Sequence, residues 1–232
     1  MMPISLYPQD VTALWVTFKL AVISTSILLV LCAPVAWWLA HTQWRGKVVV
    51  EALVMLPLVL PPTVLGFYLL LLLGPHGWVG GALESMGFQH LAFSFTGLVI
   101  GSMIYSLPFV MQPLTNAFQA TGKRVLEVAS TLRASPLDRF FTVVAPLARR
   151  GFLTAAVLSF AHTLGEFGVI IMVGGNIPGQ TQVASIAIYD HVEAMDYQSA
   201  HALALILVVL SFSLLLAVYA LNRKFKVVGV AS

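Results

Sequence analysis

The sequence predicts an all-α integral membrane bundle of five spans. Three observations carry that reading: an apolar composition, five long apolar stretches, and basic residues placed on one side of them. Of 232 residues, 59% are hydrophobic and 9% charged, where an ordinary soluble domain carries roughly 25% charged residues. A soluble globule is thereby excluded. A span needs about 20 apolar residues, so the chain reads as a single transmembrane unit over 1–232, with little left for a soluble catalytic domain.

The stretches fall at about 11–40, 49–73, 92–118, 151–173 and 202–221. A transmembrane barrel alternates apolar and polar residues, whereas the run ALALILVVLSFSLLLAVYAL is apolar on every face, so all five are expected to be helices. The first has no basic residues ahead of it and is too long for a signal-peptide core, and is expected to remain in the mature chain. Pro57, Pro61, Pro62 and Gly66 interrupt the second stretch; Pro108 and Pro113 interrupt the third. Proline removes a backbone donor and clashes with the preceding turn. These two helices are therefore expected to be kinked or locally unwound, which is tolerated where protein or a cavity satisfies the freed carbonyls. The cluster in the second stretch points to a transport pathway.

Eleven of the twelve Lys and Arg residues sit between stretches one and two (Arg45, Lys47), between three and four (Lys123, Arg124, Arg133, Arg139, Arg149, Arg150) or after five (Arg223, Lys224, Lys226). The loops at about 74–91 and 174–201 contain none. The positive-inside rule then puts the N-terminus outside and the C-terminus inside. Lys19 is the exception, near the outer end of the long first span, from where it can snorkel to the interface. The lone Cys32 excludes an intrachain disulfide or a cysteine metal site.

The largest basic loop, at about 119–150, reads as a short helix, a turn and a second amphipathic helix ending at Pro146, with Ser135 and Pro136 as N-cap and first-turn signals. Val128, Leu132, Phe140 and Phe141 are apolar in a segment expected to face water, which suggests a docking surface for another protein. The string EVASTLRASPLDRFFTVVAP resembles the coupling loop of ABC-importer permeases. Glu127, Ala129 and Pro146 match its pattern. Val128 replaces an Ala, Arg133 stands where Gly is usual, and Ala145 replaces a Leu. LPLVLPPTVLGFYLLLLLG and FAHTLGEFGVIIMVGGNIPGQTQ are similar to strings in the molybdate branch of these permeases, with sulfate permeases sharing a related version of the second. The resemblance runs from about Val11 to Leu221.

It implies a type I importer permease of a bacterial cytoplasmic membrane. It further implies a homodimer around the translocation path, two copies of a cytoplasmic ATPase that bind ATP and Mg, and a periplasmic molybdate-binding protein. No cofactor is expected on this chain itself. The sequence contains no Gly-x-x-x-x-Gly-Lys-Ser/Thr string, so ATP hydrolysis is expected from a partner. Candidate path residues are Pro57, Pro61, Pro62, Gly66, Gly165, Glu166, Gly168 and Asn176; candidate coupling residues are Glu127, Val128, Ala129, Leu132, Arg133, Ser135, Phe140, Phe141 and Pro146.

Glu166 is the acidic residue well inside a span, with His162 one turn earlier on the same face. A metal site is disfavoured by the His-x-x-x-Glu spacing. A proton relay stays open beside a structural role in which Glu166 accepts hydrogen bonds from backbone freed near Gly165 and Gly168. Glu51 is expected as a charge at a helix start. VASIAIYDHV, with Asp190, Glu193 and Asp196 around it, is expected as an amphipathic helix on the outer surface. Nothing in the sequence suggests nucleic-acid binding. The rival readings are a sulfate or thiosulfate importer permease, a secondary transporter or channel, and an intramembrane enzyme; a self-sufficient transporter would show paired halves and midplane coupling charges.

Overall fold

The computed structural model describes residues 6–122 and 135–226, and every regular element among them is helical. The first half comprises α1 (Pro8–His41), α2 (Lys47–Val59), α3 (Pro62–Leu73), α4 (Trp78–Ser85) and α5 (Phe95–Ala120). The second half opens with α6 (Pro136–Arg139), a π-helical turn (Phe140–Val144) and α7 (Ala145–Leu147). It continues with α8 (Arg149–Leu164), α9 (Gly168–Gly174), α10 (Ala184–Glu193) and α11 (Tyr197–Lys226). Four segments are long and apolar enough to cross a membrane: Pro8–His41, Pro62–Ser85, Phe95–Ala120 and Tyr197–Ala217. The pair Phe140–Leu147 and Arg149–Leu164, bent by 63°, makes a fifth.

α5 is the centre of the bundle and packs against α1, α2, α3, α8 and α9. Its start is fixed by Ser94, whose hydroxyl accepts the Gly97 N–H at 3.0 Å, the capping role that Ser performs best. α1 turns toward the bundle a stripe of buried residues three or four apart, including Val16, Leu20, Ser24, Leu28, Cys32, Ala36 and Leu39, with Ala13 packed on Ala187 and Leu203 of α10 and α11. Trp15, Val30, Leu31 and Trp38 of α1 face outward. Lipid tails are as apolar as Leu, so helices in a membrane associate through close packing and hydrogen bonds, and small residues at the contact bring the backbones together. Ala13, Ala21, Ser24 and Ala36 serve that purpose here. The Thr17 and Ser24 hydroxyls donate back to the Ala13 and Leu20 carbonyls at 2.7 and 2.6 Å, so neither is left unpaired.

Two core clusters mark the two ends of the bundle. Leu28, Ala36 and Leu39 pack with Val110, Leu114, Phe118, Val144 and Ala155. At the other end Val16 and Leu20 pack with Leu98, Ile170, Val183 and Ile186. The first end is where α1 and α5 finish and α8 begins, so it collects Arg45, Lys47, Arg139, Arg149 and Arg150. Lys19 lies toward the other end, with its ammonium 4.5 Å from the centre of the Phe95 ring.

Several expectations are revised. Pro108 and Pro113 do not unwind the third span; both lie within the continuous α5, where surrounding helices support a proline-containing turn. The interruption of the second span is real and falls between α2 and α3, at Leu60 and Pro61. Glu51 belongs to α2's first turns and is paired with Lys47 at 3.5 Å. The loop 74–91 contains the short helix α4. α10 is amphipathic as expected, with Tyr189, Val192 and Glu193 exposed and Ala184, Ile186 and Ala187 buried against the bundle, where Thr17 of α1 accepts the Ala184 N–H at 2.7 Å. Its far end is tied down by His191, whose Nε2 is 2.8 Å from the buried Asp10 carboxylate. Asp196 opens α11, and the Ser199 hydroxyl and N–H hold its carboxyl below the usual carboxylate range.

The α1–α5 contact generates a stability prediction. Ala36 is fully buried there, so Ala36→Leu is expected to overpack the interface and cost about 1–3 kcal/mol. Val30→Leu, on the outward face, is expected to be neutral. Thermal unfolding of the purified protein checks both.

Candidate functional site

The two interrupted spans meet. α2 ends with the Leu60 N–H still bonded to the Leu56 carbonyl at 3.1 Å. The next two residues, Pro61 and Pro62, have no N–H to satisfy, so the chain leaves one helix and enters another with few orphaned donors. α3 starts with Pro62 at its first position, where proline's fixed φ suits a helix. The second break follows α8. The Gly165 and Glu166 N–H groups turn back to the His162 and Thr163 carbonyls at 3.2 and 3.3 Å, and α9 resumes at Gly168. The Ser185 hydroxyl of α10 donates to the Glu166 carbonyl at 2.6 Å, satisfying an acceptor that the break exposes.

The half-helices α3 and α9 pack on one another through a pair of glycines. A Cβ on Gly168 would stand 2.7 Å from Pro62 Cβ, and one on Gly66 would stand 2.8 Å from Met172 Cβ and 3.1 Å from Val169 Cα. No side chain fits at either position without displacing the opposite helix. Of the path candidates, Pro62, Gly66 and Gly168 are brought together at this contact, while Gly165 and Glu166 lie in the second break, just before α9. Pro57 stays one turn away, buried inside α2. Asn176 is not brought to the breaks; its amide is committed to the Asp190 carboxylate of α10 at 2.8 and 2.9 Å.

Glu166 is 4% exposed. Its Oε2 accepts the Ser102 hydroxyl at 2.6 Å, while Oε1 has no partner among the described residues. The expected backbone donors near Gly165 and Gly168 are therefore replaced by a hydroxyl from α5, because the break turns the carboxyl toward that helix. Around it runs a polar seam between α5 and α8. Ser106 Oγ lies 2.9 Å from His162 Nδ1 and 3.2 Å from Thr163 Oγ1, and Ser102 lies 3.3 Å from the same Thr163 oxygen. Thr25 of α1 donates to Ser159 at 3.2 Å. The His162 ring is stacked on Phe109 at 4.2 Å and tilted against Tyr105 at 4.6 Å. Among the described residues no cluster of His, Cys, Asp and Glu is suited to a metal. Sequence reasoning missed Ser102, Ser106 and Thr163. The available signal was the spacing of the two serines, four apart on one face of α5 and opposite His162 and Glu166, likewise four apart.

At the basic end, Ser135 caps α6 as the sequence predicts, its Oγ accepting the Asp138 N–H at 3.2 Å. Phe140 is not free for docking. It is turned toward Trp37 and Phe118, with ring centres 6.1 and 6.2 Å away, because the π-helical turn directs it into the bundle. Phe141 is 67% exposed and Pro146 is exposed as well. Glu127, Val128, Ala129, Leu132 and Arg133 lie outside the described residues.

A family model described as binding-protein-dependent transport system inner membrane component matches residues 32–227. The chain belongs to that family. It is 57% identical over 225 residues to a molybdenum transport system permease protein, ModB, of Azotobacter vinelandii, covering 97% of this chain and 98% of that one. It is 33% identical to a probable sulfate transport system permease protein, cysT, of Nephroselmis olivacea, over 94% of this chain and 78% of that one. A crystal structure of a bacterial alginate ABC transporter, in complex with an alginate pentasaccharide-bound periplasmic protein, superposes with a TM-score of 0.76 over 97% of this chain and 82% of its own. At 17% identity that likeness establishes the fold. This family member is a multi-pass membrane protein and a transport component.

The seam generates the second prediction. Glu166→Gln retains an acceptor for Ser102 and is expected to leave folding intact, whereas Glu166→Leu removes it at about 1–3 kcal/mol. Thermal unfolding of Ser102→Ala, Glu166→Leu and the double variant is expected to give a coupling of about 0.5–3 kcal/mol. Additive losses would mean that the two groups do not support one another.

Proposed function

We propose that this chain is the permease subunit of an ATP-driven importer and passes molybdate, or the closely similar tungstate, across the cytoplasmic membrane. The observation that carries the reading is end-to-end likeness: 57% identity with the molybdenum permease against 33% with the sulfate permease, over nearly the same length of this chain. The chemistry of the interior supports it. All described basic residues except Lys19 lie toward one end of the helices, so an oxyanion meets no fixed cation at the paired breaks and is not trapped there. Glu166 is unsuited to holding an anion, because its carboxyl would repel one; it acts as a pin between α5 and the broken span. Selection of the anion then resides in an extracytoplasmic binding protein.

In this reading two copies of the chain enclose the path, with the Arg-rich end in the cytoplasm and the N-terminus outside. ATP and Mg are bound by a separate ATPase pair, which docks on the 119–150 segment through Glu127, Val128, Ala129, Leu132, Arg133, Phe141 and Pro146. Closure of that pair moves the segment, and the segment moves α8 directly, because α7 is separated from α8 by Ala148 alone. α8 carries the seam and the second break, so the push reaches the path as a rigid-body shift of packed helices.

Uptake of labelled molybdate, tungstate and sulfate by the reconstituted complex tests the substrate. Molybdate and tungstate are expected to compete with one another and sulfate to be taken up far more slowly; equal uptake of sulfate, or uptake without ATP, would overturn the reading. Glu127→Ala removes a charge-assisted bond, and association with the ATPase is expected to weaken roughly 10- to 150-fold if that contact is shielded from water. Phe141→Ala is expected to weaken it as well, with insertion preserved.

Orientation has its own test. Cysteines replacing the exposed Ser85 and Gln180 are expected to react with an impermeant thiol reagent added outside, and one replacing the exposed Gln43 is not. Labelling of position 43 in intact cells would reverse the topology.

A further inference from the structure

α5 is the most buried of the membrane-crossing helices, and what it leaves uncovered is polar. Its exposed residues are Thr96, Gln112, Asn116, Gln119 and Ala120, with no large apolar side chain among them. α1 and α11 differ: the first exposes Trp15, Val30 and Leu31, the second Val208, Phe212 and Leu216. Gln112, Thr115, Asn116 and Gln119 follow the i, i+3, i+4, i+7 spacing that sets residues on one face of a helix. They form a polar line about 10 Å long. The line borders a cleft of about 160 Å³ whose other wall is Glu51, Val54 and Met55 of α2. Glu51 carries its counter-charge with it, Lys47 at 3.5 Å. Two turns before Gln112 the same face of α5 holds Tyr105, which packs against Leu69 and Val169 of the half-helices α3 and α9. The line thus leads from the basic end toward the breaks.

A primary amide turned to hydrocarbon gives up its hydrogen bonds to water and gains none. Three exposed amides on one face of a membrane-crossing helix therefore face water, not lipid. We infer that this line is a wet wall of the translocation path on the basic side of the breaks, where the Gln112, Asn116 and Gln119 amides and the Thr115 hydroxyl donate in turn to a passing oxyanion. Neutral donors replace the water that an anion sheds, and without a fixed cation none of them holds it. Naming an oxyanion as the solute rests on the function proposed above; the presence of water does not.

The test is labelling of single cysteines in the full chain with its ATPase partner, in sheared membranes open on both faces, with sulfonatoethyl methanethiosulfonate. This small anion reacts with a hydrated thiolate. Cysteines replacing Gln112, Asn116 and Gln119 are expected to react, and one replacing Phe212, on the apolar exposed face of α11, is not. The wild type, whose Cys32 is buried, gives the baseline. Asn116→Leu is expected to lower uptake of the oxyanion that the wild type transports roughly ten-fold, the effect of losing one hydrogen bond to a charged group. Asn116→Asp keeps the shape and adds a repelling charge, so it is expected to lower uptake at least as far, with ATPase association unchanged. Asn116→Ser restores a donor and is expected to keep most of the uptake. Absence of labelling at all three positions, or equal labelling at position 212, would overturn the inference. So would full uptake by both Asn116→Leu and Asn116→Asp, or cross-linking of position 116 to its counterpart in a second copy without reaction toward the anionic reagent, which would make the face a dry interface. If the wild type moves sulfate in place of molybdate, the proposed substrate fails while the labelling pattern stands, so the two readings fail separately.

Discussion

In hydrocarbon every backbone N–H and C=O must find a partner within the protein, and this chain interrupts two of its spans under that constraint. Each interruption is built to leave few groups unpaired. At the first, two successive prolines delete the donors that a break would orphan. At the second, the N–H groups of Gly165 and Glu166 close a tight turn and the Ser185 hydroxyl takes up the Glu166 carbonyl. The half-helices that emerge, α3 and α9, are only 12 and 7 residues long. They gain lateral support from each other, which requires a backbone approach that only Gly66 and Gly168 permit. Proline, glycine and serine therefore act as one device, and removing any of the three leaves the others without purpose.

The seam between α5 and α8 is of a different kind. It consists of hydroxyls, one imidazole and one carboxyl. Hydrogen bonds between spanning helices average only about 0.6 kcal/mol, because competing partners exist in the membrane-embedded unfolded state. Such bonds specify register more than they resist motion. Ser106 faces both His162 and Thr163, one residue apart, and Ser102 faces both Thr163 and Glu166. Each serine thus has two partners within reach, which fixes the register of α8 on α5. In the α1–α5 contact, by contrast, the Thr17 and Ser24 hydroxyls donate to their own helix and small residues pack closely. The bundle therefore joins α1 to α5 by close packing and α5 to α8 by a hydrogen-bonded seam.

The basic end couples these parts. Phe140 enters the aromatic cluster of Trp37, Phe118 and Phe152, and the more exposed Phe141 packs edge-on against it with ring centres 5.3 Å apart. One residue anchors the segment to the bundle and its neighbour is presented outward.

Much of this was legible in the residues alone. Apolar stretches long enough to span, the absence of strand alternation, and the confinement of Arg and Lys to alternate loops follow from solvent and charge, which act on every residue without reference to distant parts of the chain. The break at Pro61 and Pro62 is legible for the same reason, since proline acts locally. The tertiary structure decided what depends on pairs far apart in sequence. Pro108 and Pro113 remain inside a helix because five neighbours pack round it. Glu166 meets Ser102 across 64 positions instead of nearby backbone. The buried face of α10 is docked on α1 by Thr17, 167 positions earlier, which supplies an acceptor for its first N–H. Asn176 is drawn away from the breaks by Asp190, and Phe140 is drawn in by Trp37. In each case a local preference was weaker than, or silent about, a partner that only the fold brings within hydrogen-bonding or van der Waals reach.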